Sequence, residues 1–330
     1  MTGSSVSNAF DVIGDVHGFA DKLVGLLETM GYREQGGAFR HPTRTAVFIG
    51  DLIDRRTRHG DTDQMDVVRI ARAMVETGSA RIVMGNHEFN AISWATPNPD
   101  KPGDFLRTHD GDKGEGHRKQ HAQFLDEVGE GSTTHNEILD WFRTIPLWLD
   151  LGNVRFVHAC WHAESMATLR PLLDADGRLT DEVLRLGNTK GNAVHAAIEV
   201  VLKGPESRLP DDAWYLDKNE ILRKNGRIKW WDPQADTLDH AVLIDGNMRT
   251  LSGQPHPGLP SAPTDVAEPF RYRENVPVFF GHYWRRIPLE VSAPNALCTD
   301  YSAGKGGPLV AYRWSDEPLD VSNFVMFDGR

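Results

Sequence analysis

Three short apolar runs in the N-terminal part of the chain each end in a glycine followed by a polar residue. The runs are FDVIGD (10–15), TAVFIGD (45–51) and RIVMGN (81–86). Apolar residues between them recur at the spacing of amphipathic helices, and Gly31 and Gly78 mark the ends of these helices. Strands that alternate with helices predict a parallel sheet joined by right-handed crossovers. Ligands of such sheets bind beyond the carboxyl ends of the strands, where all three polar ends fall.

The first of these polar ends contains Asp15 and His17, separated by one residue. Alternate side chains of an extended backbone leave the same face, so this pair can converge on one ion. A carboxylate and an imidazole together suit a borderline divalent metal such as manganese, iron or zinc. Taken alone, the motif is equally consistent with a polar strand end. The choice depends on whether other strand ends supply further metal ligands.

The composition excludes some classes of partner. Hydrophobic residues make up 39% and charged residues 25% of the 330 residues, which is ordinary for a globular enzyme. The net charge of −11 argues against duplex nucleic acid or an anionic membrane as a partner. Cys160 and Cys298 are too few for a disulfide framework and fit a reducing compartment. Because the first residues do not resemble a signal peptide and no apolar run approaches about 20 residues, we expect a cytoplasmic protein.

The remainder of the chain predicts one domain over residues 1–330, with polar insertions at about 95–135 and 164–243. Gly152 and Asn153 join two alternating segments and indicate a hairpin. From residue 276 onward, four strand-like runs predict a second, largely antiparallel sheet.

Three histidines in the first insertion, His109, His117 and His121, invite a metal assignment. No apolar strand holds them in place, so we interpret them as residues without a functional role.

The polar residues at the strand ends suffice to hold two divalent ions if one carboxylate is shared. Asp51 follows the middle strand and is the natural bridge. The predicted metal ligands are Asp15, His17, Asp51, Asn86, His158 and His282. We assign Asp15, His17 and Asp51 to one ion and the other three residues, together with Asp51, to the second. Each ion then keeps open positions, as a catalytic metal requires.

Two ions about 3.5–4 Å apart suit in-line displacement at phosphorus. The cluster offers no covalent nucleophile, so we expect direct attack by metal-bound hydroxide. His87 follows a metal ligand and is predicted to protonate the leaving oxygen. Asp54 is predicted to orient His87, and Arg55 to clamp phosphoryl oxygens.

Five islands of sequence, in order, resemble the calcineurin-like metallophosphoesterases. They are GDVHG, GDLIDR, GNHE, VHAC and FFGHYW. The likeness is strongest to the branch that holds serine/threonine phosphoprotein phosphatases and symmetrical dinucleoside tetraphosphatases. It implies an α/β fold with a two-sheet β-sandwich flanked by helices, the ligand set given above and the pairing of His87 with Asp54. Manganese is the preferred ion, with iron, zinc, nickel, cobalt and magnesium as alternatives.

Two departures from the family pattern concern the substrate. Arg56 stands where the phosphatase pattern has glycine, and Tyr283 and Trp284 end the last island. We expect Arg55, Arg56, Tyr283 and Trp284 to bind the substrate or line its pocket. For the two aromatic residues we favour a pocket wall over stacking on a nucleobase. Arg249, Arg273 and Arg285 are candidates for a second phosphate-binding arginine.

The leading functional interpretation is a phosphomonoesterase similar to protein phosphatases. A dinucleoside polyphosphate hydrolase is the alternative, and a metal-binding module without catalysis is a more remote one. The expected partner is a phosphorylated small molecule, a nucleotide or a phosphoprotein. Neither a nucleic acid duplex nor a membrane is expected, and the oligomeric state is left open.

Overall fold

The structure is a computed structural model that describes residues 9–54, 63–217, 220–244 and 248–329. Its strands are β1 (Phe10–Ile13), β2 (Arg33–Gln35), β3 (Ala38–Arg40), β4 (Thr45–Phe48), β5 (Ala80–Ile82), β6 (Trp148–Asp150), β7 (Arg155–Val157), β8 (Glu206–Arg208), β9 (Tyr215–Leu216), β10 (Leu222–Arg223), β11 (Asn225–Ile228), β12 (Val242–Leu243), β13 (Val278–Phe280), β14 (Ala296–Cys298), β15 (Leu309–Trp314) and β16 (Phe324–Phe327).

The α-helices are α1 (Ala20–Thr29), α2 (Gln64–Glu76), α3 (Asn86–Ala95), α4 (Gly111–Val128), α5 (Thr133–Arg143), α6 (Ala163–Leu169), α7 (Asp181–Asn188), α8 (Ala193–Lys203) and α9 (Leu238–Ala241). Short 3-10 turns cover Arg170–Leu172, Asp211–Ala213, Glu268–Phe270, Ala303–Lys305 and Val321–Asn323. No helix in the described part of the chain combines the length and the apolar character that crossing a membrane would require.

The first large sheet has the strand order β16-β15-β1-β4-β5. Strands β1, β4 and β5 are parallel, as the alternation of strands and helices predicts. Helix α1 connects β1 to the β2–β3 hairpin that precedes β4, and α2 connects β4 to β5. Helix α1 buries Leu23, Leu26 and Leu27, and the Asp63 side chain caps α2 by accepting the backbone N–H of Asp66.

The second large sheet has the order β14-β13-β7-β6. Strand β13 is parallel to both β14 and β7, and only the predicted β6–β7 hairpin is antiparallel. Strands β15 and β16 join the first sheet instead, where β15 runs antiparallel to β1. The expectation of one largely antiparallel sheet after residue 276 is therefore wrong. Alternation along a strand reports which face is buried, and it does not encode the pairing partner.

The two large sheets pack face to face, which confirms the predicted two-sheet β-sandwich. The contact consists of buried alternate residues, including Phe10 and Val12 of β1, Phe156 of β7, Phe279 of β13 and Tyr312 of β15. Edge-to-face contacts such as that of Phe10 with Phe156, at 5.6 Å between ring centroids, fill the space between the sheets.

Helices cover the outer faces of the sandwich. Ile13 and Phe48, which point away from the sheet interface, pack with the apolar sides of α1 and α2. Val157 and Phe280 of the second sheet belong to the same core cluster as residues of α6 and α8. This arrangement agrees with the expected sandwich flanked by helices.

The two predicted insertions contain defined elements. Segment 95–135 contains α4 and the start of α5. Ser132 caps α5 by accepting the backbone N–H of His135. Segment 164–243 contains α7 and α8 and then the small sheet β12-β11-β8, which has a satellite apolar cluster of its own. The single-domain assignment for residues 1–330 stays a prediction.

Candidate metal and catalytic centre

The six predicted metal ligands lie together where strands of both large sheets end. Asp15 and His17 follow β1, Asp51 follows β4, and Asn86 is the first residue of α3. From the second sheet, His158 follows β7 and His282 follows β13. Five of these six residues line one cleft, and His158 lies directly behind it with no exposed surface.

Asp51 is the centre of this cluster. Its Oδ2 atom lies 3.4 Å from His158 Nε2, 3.9 Å from His17 Nε2 and 3.8 Å from His87 Nε2. Two groups of residues have ligand atoms within 4.8 Å of one another, and Asp51 belongs to both. One group is His17, Asp51 and His87, and the other is Asp51, His158 and His282.

The histidine tautomers favour a cation in this space. The Nδ1 atom of His158 lies 2.7 Å from the Ile49 carbonyl, and that of His17 lies 3.0 Å from the Ile53 carbonyl. A carbonyl only accepts, so both Nδ1 atoms donate, and the Nε2 atom of each neutral ring presents a lone pair. His158 Nε2 faces the amide oxygen of Asn86 at 3.1 Å. Acceptors that face acceptors in this way fit a metal ion between them.

The buried charges lead to the same conclusion. Burial, followed by the charges of Asp300 and Asp51, raises the pKa of Asp15 well above its usual value. Burial alone would also raise the pKa of Asp51, but the charges of His158 and His87 hold it well below its usual range. The cleft thus concentrates negative charge, which a divalent cation would balance.

Asp15 lies differently from the other ligands. Its Oδ2 atom accepts the backbone N–H of His282 at 3.1 Å, and it belongs to neither of the two close groups. Strand β1 ends at Ile13, and His17 has a left-handed backbone with φ 49°. The loop after the strand therefore brings Asp15 and His17 to the cleft. The expectation that strand alternation would align them is wrong.

Glu88, which the sequence analysis did not single out, fixes the loops that carry the ligands. Its Oε2 atom accepts the backbone N–H groups of Asp51 at 2.9 Å and Gly85 at 3.0 Å, and Oε1 accepts that of Leu52 at 2.8 Å. Burial and the charge of Asp51 raise the pKa of Glu88 to about 7, against the opposing effect of its N–H donors. One fully buried carboxylate thus joins the loop after β4 to the start of α3.

The predicted pair of His87 and Asp54 is in direct contact. His87 Nδ1 lies 2.6 Å from Asp54 Oδ2, and both side chains are buried. Because the carboxylate engages Nδ1, the Nε2 atom is the one that faces the cleft. Asp54 has a left-handed backbone with φ 69°, and Gln64 Oε1 accepts its backbone N–H at 2.7 Å.

His121 joins this pair and was missed in the sequence. Its Nδ1 atom lies 2.6 Å from Asp54 Oδ1, a contact with the candidate site that was not expected from the sequence. A signal was available, because His121, Phe124, Leu125 and Val128 follow the i, i+3, i+4, i+7 spacing and form the buried face of α4. His109 and His117 make local contacts instead: His109 stacks between Trp94 and Phe105, and His117 contacts the Thr108 carbonyl.

Among the described residues, Arg227 of β11 is the arginine that lines the cleft. Its Nη1 donates to the His282 carbonyl at 3.2 Å, and its buried Nε has no hydrogen-bond partner among the described residues. The three arginines considered from the sequence do not line the cleft. Arg249 is exposed, Arg273 pairs with Glu268, and Arg285 pairs with Glu290.

The residues predicted to bind substrate have different outcomes. Tyr283 is fully buried and donates its hydroxyl to the Ile228 carbonyl, so its assignment to substrate binding is wrong, and it packs in the wall behind the site. Trp284 is 39% exposed and lines the cleft, where Arg227 and Lys305 contact its ring. Arg55 and Arg56 lie outside the described residues, so their roles stay predictions.

We predict that Gly281→Ala disorders the metal centre. A Cβ atom at this position would lie 2.1 Å from Asp15 Oδ1, so either the carboxylate or the backbone of His282 must shift. The variant should lose about 1–3 kcal/mol of stability and retain less divalent metal, measured by chemical denaturation and metal analysis. The matched control is Gly116→Ala on the exposed side of α4, where nothing lies within 4 Å. A Gly281→Ala protein as stable and as metal-rich as its parent would contradict this account.

The comparisons with known proteins agree with this geometry. The family model for calcineurin-like phosphoesterases matches residues 9–283. The chain is 40% identical over 79 residues to the asymmetrical bis(5′-nucleosyl)-tetraphosphatase of Halalkalibacterium halodurans. The matched stretch is 24% of this chain and 30% of that relative. The corresponding Bacillus subtilis enzyme is 29% identical over 154 residues, 46% of this chain and 56% of that relative. The chain thus spans about a third to about half of the length of these relatives.

A further relative matches over most of its length. The symmetrical bis(5′-nucleosyl)-tetraphosphatase of a Janthinobacterium species is 27% identical over 308 residues, which is 92% of each chain. Among solved structures, a putative diadenosine tetraphosphatase matches 98% of this chain and 95% of its own at 18% identity, with a TM-score of 0.44. A serine/threonine phosphatase of Saccharomyces cerevisiae matches 98% of this chain and 80% of its own at 12% identity, with a TM-score of 0.47. With the family model matched over residues 9–283, the chain belongs to the calcineurin-like phosphoesterase family.

Proposed function

We propose that this protein is a metal-dependent phosphoric ester hydrolase, with phosphomonoesters as its leading substrate class. The observation that carries the proposal is the contact of His87 with Asp54 beside a cleft in which Asp51 is shared by two sets of metal ligands. A proton carrier next to a cation site is what cleavage of a phosphate ester requires. A metal-binding module without catalysis would have no need for it.

Two divalent ions fit the donor set. Asn86, His158 and His282, together with Asp51, would hold the second ion. For the first ion we keep Asp15, His17 and Asp51. Because His87 lies as close to His17 and Asp51 as a ligand would, metal analysis of His87→Asn distinguishes a ligand from a proton donor. Manganese is the ion we favour, with iron, zinc, nickel, cobalt and magnesium as alternatives, because imidazole and carboxylate ligands are mixed. When bound, the ions would activate water and neutralise charge on the phosphoryl oxygens.

His87 supplies the proton. Asp54 accepts the N–H of His87 Nδ1, so the ring presents Nε2 to the cleft and its protonated form is stabilised by the buried carboxylate. In the reaction, His87 Nε2 would donate its proton to the oxygen of the leaving alcohol. This transfer matters most when the leaving group is a weak acid, because an alkoxide leaves poorly without a proton.

Arg227 would bind the phosphoryl oxygens that the ions leave free. Its guanidinium lines the cleft, where its positive charge and its N–H donors would attract an anion. The predicted clamp by Arg55, with Arg56 beside it, would add to this effect from residues outside the described part.

A second candidate function is hydrolysis of dinucleoside polyphosphates. Lys305 Nζ lies 3.9 Å from the ring centroid of Trp284, and the Arg227 guanidinium carbon lies 4.4 Å from it. Positive charge therefore flanks the cleft beyond the reacting phosphoryl group, where further phosphates of such a substrate would lie. The match to a symmetrical tetraphosphatase over 92% of the chain also supports this candidate.

The partner would accordingly be a phosphorylated small molecule, a nucleotide or a phosphoprotein. The net charge of −11 supports the expectation that neither duplex nucleic acid nor a membrane is bound. Cys160 and Cys298 are free and buried, which supports a reducing, cytoplasmic location.

A substrate panel at fixed manganese tests the proposed function. The panel contains an aryl phosphate, a phosphoserine peptide, a phosphotyrosine peptide, diadenosine tetraphosphate and an aryl phosphodiester. Turnover of the monoesters is the expected result. Preference for diadenosine tetraphosphate would select the second candidate instead. If none of the five compounds is hydrolysed, the proposed function is wrong.

We predict that His87→Asn keeps the bound metal but slows esters with poor leaving groups. Loss of the proton donor should lower kcat by about 100-fold or more for an alkyl phosphate, and much less for an activated aryl phosphate. Steady-state kinetics with both esters, together with metal analysis, measure this difference. Equal losses for both esters would count against the role of His87 as the acid, and loss of a metal ion would instead make His87 a ligand.

We predict that metal binding releases protons. Burial alone would lower the pKa of His158, but the charge and hydrogen bond of Asp51 raise it, and the pKa of Asp15 is also raised. A group that carries a proton must lose it before it can bind an ion, so affinity should fall as the pH drops below the raised pKa of either group, by up to about tenfold per unit for each proton released. Calorimetric titration with Mn²⁺ at about pH 6 and about pH 8, in two buffers of different ionisation enthalpy, measures this. An affinity that is independent of pH would refute it.

A further inference from the structure

The carboxylate of Asp54 is held at both of its oxygens by imidazoles from different parts of the chain. Oδ2 lies 2.6 Å from His87 Nδ1, and Oδ1 lies 2.6 Å from His121 Nδ1. The side chain of Asp54 is 1% exposed, and each histidine side chain is 5% exposed. No solvent therefore competes for the two hydrogen bonds.

The direction of both bonds follows from the charge of the carboxylate. Burial alone would raise the pKa of Asp54, but the charge and hydrogen bond of His121, and then those of His87, hold it well below its usual range. An ionised carboxylate only accepts, so both histidines donate from Nδ1. Two donors on two oxygens fix the plane of the carboxylate, and this plane determines where His87 points its Nε2 atom.

Helix α4 is anchored so that His121 reaches Asp54. Phe124 and Leu125 are buried on the same face of the helix. Glu127 Oε1 accepts the backbone N–H of Met65 at 2.9 Å, at the start of α2. Gln64, the neighbouring residue, accepts the backbone N–H of Asp54 through its side chain. The inserted helix and the loop that carries Asp54 are thus tied together at adjacent positions.

The imidazole of His121 is not what packing alone would select. Its Nε2 atom is buried and has no hydrogen-bond partner among the described residues, and its ring lies 5.0 Å from that of Phe124. A buried polar atom without a partner costs about 1–3 kcal/mol, which an apolar side chain of similar volume would avoid. Its contact with Asp54 is therefore the feature that explains a histidine at this position.

We propose that His121 is a positioning residue for catalysis, which acts through Asp54 on the proton donor His87. This inference rests on the proposed function, because it assigns His121 to the step in which the leaving oxygen is protonated. Without His121, Asp54 Oδ1 would be a buried oxygen with no imidazole donor, and the carboxylate could rotate away from His87. The proton transfer would then slow while the metal ligands stay in place.

The experiment compares His121→Leu and His121→Asn with the parent enzyme. The Asn variant keeps an N–H donor near the position of Nδ1, and the Leu variant does not. We expect His121→Leu to lower kcat for an alkyl phosphate by about 10-fold to 100-fold, within the range of general acid catalysis. Turnover of an activated aryl phosphate should fall by less than about threefold, and His121→Asn should restore most of the loss. Metal content should be unchanged.

The control and a double-mutant cycle separate this role from a structural one. His117→Leu makes the same substitution one turn earlier on α4, where the side chain contacts Thr108 and not Asp54. It should leave the ratio of the kcat values for the two esters unchanged. When Asp54→Asn is already present, adding His121→Leu should lower kcat for the alkyl phosphate by less than about twofold. The effects of residues that act as a unit are not additive.

Equal losses for both esters in His121→Leu, or additive losses in the double mutant, would overturn the inference. If His121→Leu does not fold, the alkyl phosphate activities of His121→Asn and His121→Gln test the inference instead. Gln places its donor farther from the helix than Nδ1, so it should restore less of the alkyl phosphate activity than Asn, and equal activities of the two variants would also overturn the inference. Failure of the parent enzyme to hydrolyse either ester would refute phosphomonoesters as the leading substrate class of the proposed function and is distinguishable from these results.

Discussion

The buried carboxylate of Asp51 is the group on which the architecture of the site depends. It follows the central parallel strand β4, and its Oδ2 atom lies within 3.9 Å of three histidines that come from three other segments. Its Oδ1 atom accepts the backbone N–H of His87. Such a charge is tolerated away from water only with opposite charge and hydrogen bonds around it. The neighbouring strand ends provide the hydrogen bonds, and a proton on His158 or a divalent ion provides the charge.

Backbone strain accompanies this arrangement. His17, Asp51, Asp54 and His282 all adopt left-handed conformations, with φ between 49° and 69°. Left-handed residues other than glycine are unfavourable and persist where surrounding contacts over-determine them. Glu88 supplies part of that constraint by binding three backbone N–H groups of the loops. The close approach of Gly281 to Asp15 supplies another part, because a side chain at that position would displace the carboxylate. The ligands are thus positioned by the backbone as much as by the side chains.

The two inserted segments contribute groups that the strand ends do not. Helix α4 brings His121 to Asp54, and β11 brings Arg227 to the cleft beside Trp284. In the proposed reaction, the strand ends would carry the metal ligands and the acid. The inserted elements carry the charges and contacts around that centre, where substrates of one reaction class differ. If the proposed function is correct, Arg227 from an inserted element and Trp284 at the end of the last island would together influence which substrate binds.

The sequence by itself determined the parallel strands β1, β4 and β5, the helices α1 and α2, and the residue types at the ends of the strands. Apolar runs, helical spacing and terminal glycines are local signals, so they could be read without a structure. The parallel α/β part of the fold and the strand-end residues that meet in the cleft were predictable for this reason, whereas the two-sheet sandwich followed from the resemblance to a known family. The sheet to which β13–β16 belong was not, because strand pairing depends on partners distant in the chain.

The tertiary structure alone decided the contacts of His121, Arg227, Glu88 and Tyr283. Helical spacing places His121 on a buried face, but only the packing of α4 shows that Asp54 is the group it meets. Tyr283 follows a metal ligand in sequence, yet the left-handed backbone at His282 directs it into the core. The physical reason is common to all four residues. Local patterns determine which side chains are buried, whereas the identity of their partners depends on how distant segments pack.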